Sequence, residues 1–189
     1  MTTLTGIQGL DFVCMAADSQ ITEDNIGTIS TTTPKIIDKG KYLLGITGDS
    51  RPGDILTYNW TPPAYNKSLT PVQHMGKKVI PSIIDAFNTN GYSWNSTADD
   101  KDSGFDYLLS FDANLFHLAC DLSFLQSKGN YYGIGSGGQF AMGYLWNKWK
   151  GTNISRKKAL EYSDLAIRCA ESFDINTGLP IQLVIQERE

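Results

Sequence analysis

Charge, sulfur and imidazole are all scarce in this chain of 189 residues. Charged side chains make up 19%, and 16 basic against 20 acidic residues leave a formal net charge of −4. That balance offers no electrostatic footprint for nucleic acid or an anionic membrane. No run approaches the roughly 18 apolar residues that a membrane span needs. The opening stretch, MTTLTGIQGLDFV, lacks the basic start and unbroken apolar core of a secretory signal, so a cytoplasmic location is expected. Cys14, Cys120 and Cys169 are odd in number, widely spaced and set among apolar neighbours, which predicts buried free thiols in a reducing compartment. His74 and His117 cannot build a metal site with such scattered thiols, so neither metal nor cofactor is expected. What is present is 41% apolar residues, enough for one domain over residues 1–189 that needs no disulfide.

The pattern along the chain mixes two periods. Thr3–Gly9 and Phe12–Ala17 read as an antiparallel hairpin turning at Leu10-Asp11, and the unbroken second strand predicts burial on both faces. Tyr42–Thr47 reads as another buried strand. A helix follows Gly48 and is stopped by Pro62-Pro63. A second helix starts with Thr70 as N-cap and Pro71 at its first position, with Val72, Met75, Val79, Ile80, Ile83, Ile84 and Phe87 on one face; Pro81 should kink or split it. Residues 88–103 are polar and turn-rich, a surface loop. Phe105–Phe111 and Leu115–Cys120 form a second hairpin. The glycine-rich stretch Gly129–Gly138 opens a helix through Phe140, Leu145 and Trp149. Ser155 caps a last helix whose core stripe holds Leu160, Leu165, Ile167 and Ala170, and Ile181–Gln186 is the final strand. Strand groups separated by helix pairs predict an α+β fold, a four-layer α-β-β-α sandwich with two antiparallel sheets flanked by helix pairs.

Three features near the amino end belong together chemically. Thr2 is small enough for the initiator methionine to be removed, which leaves an α-amine and a hydroxyl on one residue. Such an amine, with a pKa of about 7.7 to 8.0, can act as the base for its own hydroxyl. Asp18 ends a strand antiparallel to the first, so the hairpin can bring it beside Thr2; alone, it reads equally as a strand-end turn residue. Lys35 opens an apolar stretch. Its ammonium, held near the hydroxyl, would favour the alkoxide, although a surface lysine with a buried stem fits the same pattern.

With these residues in place, the sequence resembles a family. Thr2-Thr3, Ala16-Ala17-Asp18-Ser19, Ile21-Thr22, Pro34-Lys35-Ile36 and Gly45-Ile46-Thr47-Gly48 are similar to the amino-terminal half of proteasome β subunits and of the bacterial ring protease HslV. Gly133-Ile134-Gly135-Ser136-Gly137-Gly138 and Asp174-Ile175-Asn176-Thr177-Gly178 resemble motifs of the second half. The likeness covers nearly the whole chain, and the segment around Tyr58–Pro63 with the polar loop to Ser103 resembles a phage and bacterial proteasome-like group. The interval from Asp18 to Lys35 is one residue longer than is usual there, and Thr177 replaces the usual serine.

The resemblance implies a threonine peptidase, an N-terminal-nucleophile hydrolase. Thr2 would be nucleophile and base, Asp18 and Lys35 its charge partners, and Ser136, Asp174 and Thr177 the network around the amine. The Gly48 N–H would hold the oxyanion, Thr22 and Gly48 would pair with an extended peptide, and Ile46 would favour an apolar side chain before the cleaved bond. The resemblance also implies a polypeptide or peptide substrate, a homo-oligomeric ring and an unfoldase ATPase partner. A catalytically silent ring or scaffold subunit, or an amidase acting on a small amide, are the alternative readings. The glycine run before a helix lacks the GK[ST] ending of a phosphate loop. Trp146 and Trp149 suit either an exposed subunit-contact edge or core packing.

Overall fold

A computed structural model describes residues 1–23, 27–93, 104–148 and 153–188 of the chain. Two antiparallel sheets lie at its centre. One holds β1 (Thr3–Gln8), β2 (Phe12–Ala17), β10 (Tyr131–Gly135) and β11 (Gln182–Glu187) in the order β10-β1-β2-β11. The other runs β5 (Ile36–Asp38), β6 (Tyr42–Gly48), β7 (Phe105–Phe111), β8 (Asn114–Leu118) and β9 (Phe124–Leu125) in chain order. A separate hairpin pairs β3 (Gln20–Glu23) with β4 (Gly27–Ser30).

Strand alternation divides the core into three apolar layers. Phe12 and Cys14 of β2 face α4 (Gly138–Lys148) and α5 (Arg156–Glu171), where they meet Ala141, Leu145, Ala159, Ala166 and Ala170. Val13, Met15 and Ala17, on the other face of β2, join Leu4, Leu43, Leu108 and Leu115 between the sheets. The outer face of the second sheet, with Tyr42, Leu44, Tyr107 and Leu109, is covered by α1 (Ser50–Tyr58) and α3 (Ile80–Thr89) through Ile55, Leu56, Ile83 and Phe87. The layers are therefore α-β-β-α, and β2 is buried on both faces as its unbroken apolar run predicts.

The helix predicted from Thr70 begins as expected. Gln73 N–H donates to Thr70 Oγ1 at 3.2 Å, Thr70 N–H donates to Gln73 Oε1 at 3.1 Å, and Pro71 opens α2 (Pro71–His74). Pro81 splits it in a specific way. A π-helical segment, Met75–Val79, widens the backbone just ahead of the proline before α3 resumes, which relieves the clash of the ring with the carbonyl four residues back. Met75, Val79, Ile83 and Phe87 of the expected face are buried, Ile80 and Ile84 are partly buried, and Val72, in the first turn ahead of the π segment, is exposed.

Several expectations are corrected. The glycine-rich stretch contains β10 and a turn before α4 starts, because Gly133 lets that helix lie directly on the strand: a Cβ there would stand 2.8 Å from Met142 Cγ. The buried stripe of α5 is Ala159, Ser163, Ala166, Ile167 and Ala170, small residues suited to close helix–sheet contact, and Leu165 is exposed. Only Cys14 is buried; Cys120 is exposed and Cys169 half-buried. Trp146 is 72% exposed and so does not serve the core. Trp149 and most of the polar loop lie outside the described residues. Among the described residues no helix is long and apolar enough to cross a membrane.

The sheets approach closely where Gly45 of β6 faces Leu4 of β1. A Cβ on Gly45 would lie 2.8 Å from Leu4 Cδ1, and Leu4 is fully buried, so its side chain would have to shift within the core. Gly45→Ala is expected to cost about 1–3 kcal/mol, as overpacking of a close-packed core does. Gly143, exposed in α4 with nothing within 4 Å of the point where a Cβ would stand, is the contrast: Gly143→Ala should stabilise by roughly 0.5–1 kcal/mol. Thermal unfolding of the two variants should shift in opposite directions.

Candidate active site

The site is built where the ends of β1, β2 and β6 meet the segment before β5 and the loop before β11. The β1–β2 register pairs Leu4 with Ala17, so Thr2 and Asp18 extend from the same end of one hairpin. Asp18 has no exposed surface, and its carboxylate accepts from four donors. Lys35 Nζ donates to Oδ1 at 2.7 Å and Thr3 N–H to the same oxygen at 2.9 Å; Gln20 N–H and Gly178 N–H donate to Oδ2 at 3.0 and 3.2 Å. Lys35 Nζ also donates to Gln20 O at 2.6 Å. Burial holds the Lys35 ammonium below the ordinary lysine range, a shift that the Asp18 carboxylate offsets only in part. The longer interval between the two residues has thus not separated them.

The Met1 carbonyl oxygen lies between the other two groups. It accepts from Thr2 Oγ1 at 2.8 Å and from Lys35 Nζ at 3.4 Å. Thr2 is buried, and its own carbonyl is held by Ser136 N–H at 2.9 Å and approached by Ser136 Oγ at 3.4 Å. Ser136 Oγ donates to Asp174 Oδ2 at 2.7 Å, and Thr177 Oγ1 donates to the same oxygen at 2.7 Å. Thr177 Oγ1 also meets Thr3 Oγ1 at 2.5 Å, which links this chain back to β1. Burial alone would raise the Asp174 carboxyl, but hydrogen bonds from Thr177, Ser136 and Asn176 outweigh it and hold the group below the usual carboxylate range.

Gly48, at the end of β6, has φ of 85°, a left-handed conformation that glycine adopts without strain. It borders a cleft of about 270 Å³ together with Thr2, Lys35, Ile46 and the exposed face of α1. Ile21 rather than Thr22 lines this cleft; Thr22 Oγ1 accepts instead from Gln20 Nε2 at 3.2 Å. A smaller cavity of about 160 Å³, lined by Tyr65, Phe111 and Gln186 at the opposite end of β6 and β7, contains none of these residues. No group of three or more His, Cys, Asp or Glu side chains converges among the described residues. His74 is instead buried against Tyr42, with Nε2 2.8 Å from the phenol oxygen.

No protein-family model and no curated protein matches the sequence. Solved structures do match its three-dimensional arrangement. BPH of Thiobacillus denitrificans, in complex with epoxomicin, superposes with a TM-score of 0.76 at 20% identity, covering 99% of this chain and 99% of that one. Eukaryotic HslV from Trypanosoma brucei gives 0.68 at 14% identity over 98% and 99% of the two chains. The fold is that of the proteasome-type N-terminal-nucleophile hydrolases. Anbu, an ancestral β-subunit from Yersinia bercovieri, shares the same arrangement with a TM-score of 0.70 at 12% identity, covering 98% of this chain and 82% of that one.

Within this fold, Thr2 and the five residues expected around its amino end are joined, through Thr3 and the Met1 carbonyl, in one hydrogen-bonded cluster. The residues that hold the cluster in place carry no local signature in the sequence. Gln182 Oε1 accepts from both Lys35 N–H and Ile36 N–H at 3.0 Å, while its Nε2 donates to Ile36 O at 2.8 Å. Its amide thus stitches the segment carrying Lys35 to β11, which pairs with β2 beside Asp18. Gln20 and Gly178 contribute backbone donors, and a local motif search has no means of detecting groups that every residue carries.

Asp174→Asn removes a charged acceptor of three side-chain hydrogen bonds and is expected to cost about 2 kcal/mol, or roughly 4–8 °C in Tm near neutral pH. Its depressed carboxyl contributes stability that is present above the unfolded value near 4 and is lost as pH falls through the lower folded value. Thermal melts from pH 6 down to 2 should therefore show a flatter acid limb in Asp174→Asn than in the wild-type chain.

Proposed function

We propose that the chain is a threonine peptidase whose nucleophile, Thr2, becomes active when Met1 is removed. The observation that carries this reading is the shared position of the Met1 carbonyl oxygen. It accepts from the Thr2 hydroxyl and faces the Lys35 ammonium, so loss of Met1 leaves the hydroxyl and the ammonium facing a vacated spot with Asp18 behind. The same loss converts the Thr2 amide nitrogen into an α-amine, the base this chemistry requires.

The steps follow from these groups. The neutral α-amine takes the proton of Thr2 Oγ1, directly or through one water, while Lys35 stabilises the developing alkoxide and Asp18 keeps Lys35 charged and oriented. The alkoxide attacks a peptide carbonyl carbon, and the oxygen of that carbonyl becomes an oxyanion held by the Gly48 N–H. Collapse breaks the C–N bond; the protonated amine gives its proton to the leaving nitrogen, and an ester to Thr2 remains. Water, deprotonated by the same amine, then hydrolyses the ester and restores the hydroxyl. Ser136, Asp174 and Thr177 fix the backbone of Thr2 and Thr3, which keeps the amine aimed at its own side chain. Peptides lie extended past Gly48, with one side chain in the cleft beside Ile21 and Ile46.

On this reading the chain works in the cytoplasm with an unfoldase ATPase as its partner; the fold shared with HslV and Anbu supports a homo-oligomeric ring and a polypeptide substrate. A second reading rests on the same oxygen: a chain that keeps Met1 has an amide in place of the amine and is a silent ring or scaffold subunit. Intact mass of the purified protein separates the two, and loss of one methionine is the expected result. Peptide hydrolysis by the shortened chain is expected to fall at least about 10³-fold in Thr2→Ala, with unchanged Tm. Full activity in that variant, or exclusive turnover of small acyl-amides, would refute the peptidase assignment.

A further inference from the structure

The cleft beside Thr2 has two unlike walls. Ile37 and Ile46 make one side apolar, and Ile46 by itself points to an apolar substrate side chain. The opposite wall is the face of α1 formed by Ser50, Gly53, Asp54 and Thr57, which recur at i, i+3, i+4 and i+7. Asp49 precedes it. Asp49 occupies the N-cap position, yet its side chain makes no cap hydrogen bond, so its carboxylate is not consumed by the helix. Neither Asp49 nor Asp54 has an ion-pair partner among the described residues.

Charge counting decides what this wall prefers. Lys35 is the one cation among the lining residues, and it is paired with Asp18 at 2.7 Å. The start of α1 contributes at most about half a positive charge, against two unpaired carboxylates. The cleft thus combines an apolar side with a negative wall, the surface that suits a long aliphatic stem ending in a cation.

On the reading of Thr2 as a peptidase nucleophile, we propose that the chain cleaves after basic residues, lysine or arginine, with Asp54 and Asp49 as the specificity-determining carboxylates. The stem of the substrate residue packs on Ile37 and Ile46, and its charged head reaches the α1 wall. Both aspartates stand clear of the Thr2 cluster, so they set which side chain enters the cleft rather than the chemistry that follows.

The test uses the Met1-free protein and three blocked tripeptide amides with a fluorogenic leaving group, differing only in arginine, leucine or glutamate before the cleaved bond. Two partly exposed charge pairs predict an arginine-over-leucine ratio in kcat/KM of about tenfold at low salt, shrinking as salt rises. Asp54→Asn and Asp49→Asn should each reduce the ratio by about threefold, with the loss falling on arginine turnover. Asp54→Lys, on an exposed helix face that tolerates it, should raise glutamate above arginine. A leucine substrate equal to or better than arginine, or a ratio unmoved in the double Asp49→Asn/Asp54→Asn variant, would overturn the proposal while leaving the peptidase reading intact. Absence of hydrolysis for all three peptides would overturn the peptidase reading and this one with it.

Discussion

A carboxylate without solvent contact sets the terms for this structure. Removing an ionised group from water is so costly that it survives burial only when paired and fully hydrogen-bonded. Asp18 meets that condition with four donors drawn from four different places: Thr3 on β1, Gln20 beyond its own strand, Lys35 ahead of β5 and Gly178 in the loop before β11. Each donor is needed, so each segment is held. The requirement to satisfy one charge therefore brings the hairpin end, the lysine and the carboxy-terminal loop to a common point, and Thr2 lies at that point because it precedes Thr3.

The sandwich around it makes such convergence possible. Gly45 allows Leu4 to sit directly against β6, which brings the end of the first sheet over the end of the second. Gly135, with φ of 84°, turns the chain away from β10 next to the Thr2 carbonyl and delivers Ser136 to it. A further link, Gln182, spans from β11 to the edge of β5 and holds the Lys35–Ile36 backbone by three hydrogen bonds. The result is two linked networks: a charged one through Asp18 and Lys35, and a hydroxyl one through Ser136, Asp174 and Thr177. They meet at Thr3, whose N–H joins the first and whose hydroxyl joins the second.

Much of this was legible in the residue order. The unbroken run Phe12–Ala17 announced a strand buried on both faces, and the turn at Leu10-Asp11 announced its pairing with β1. Thr70 and Pro71 marked a helix start to the residue. The short strands β3, β4, β5 and β9 are not legible as strands, because two to four residues carry too little periodicity to separate a strand from a loop. The glycine stretch before α4 concealed β10 for a related reason: Gly133 reflects close helix–strand contact, and only Gly135 onward forms a turn. Trp146 and Leu165 misled in the opposite direction, since apolar character alone does not say whether a side chain faces a core or an open surface.

Local chemistry determined on its own the main strands and helices, the helix caps, and the return of Asp18 by a hairpin to the end of the strand that begins beside Thr2. These depend on neighbours within a few residues, where turn propensity and period act directly. Tertiary structure alone decided which donors surround Asp18, that Gln182 secures Lys35, and that Asp49 and Asp54 line the cleft. Such contacts join residues as many as 160 positions apart, as Gly178 and Asp18 are, and no short-range pattern encodes them. They follow from how two twisted sheets and their helices must stack to bury their apolar faces while leaving no buried charge unpaired.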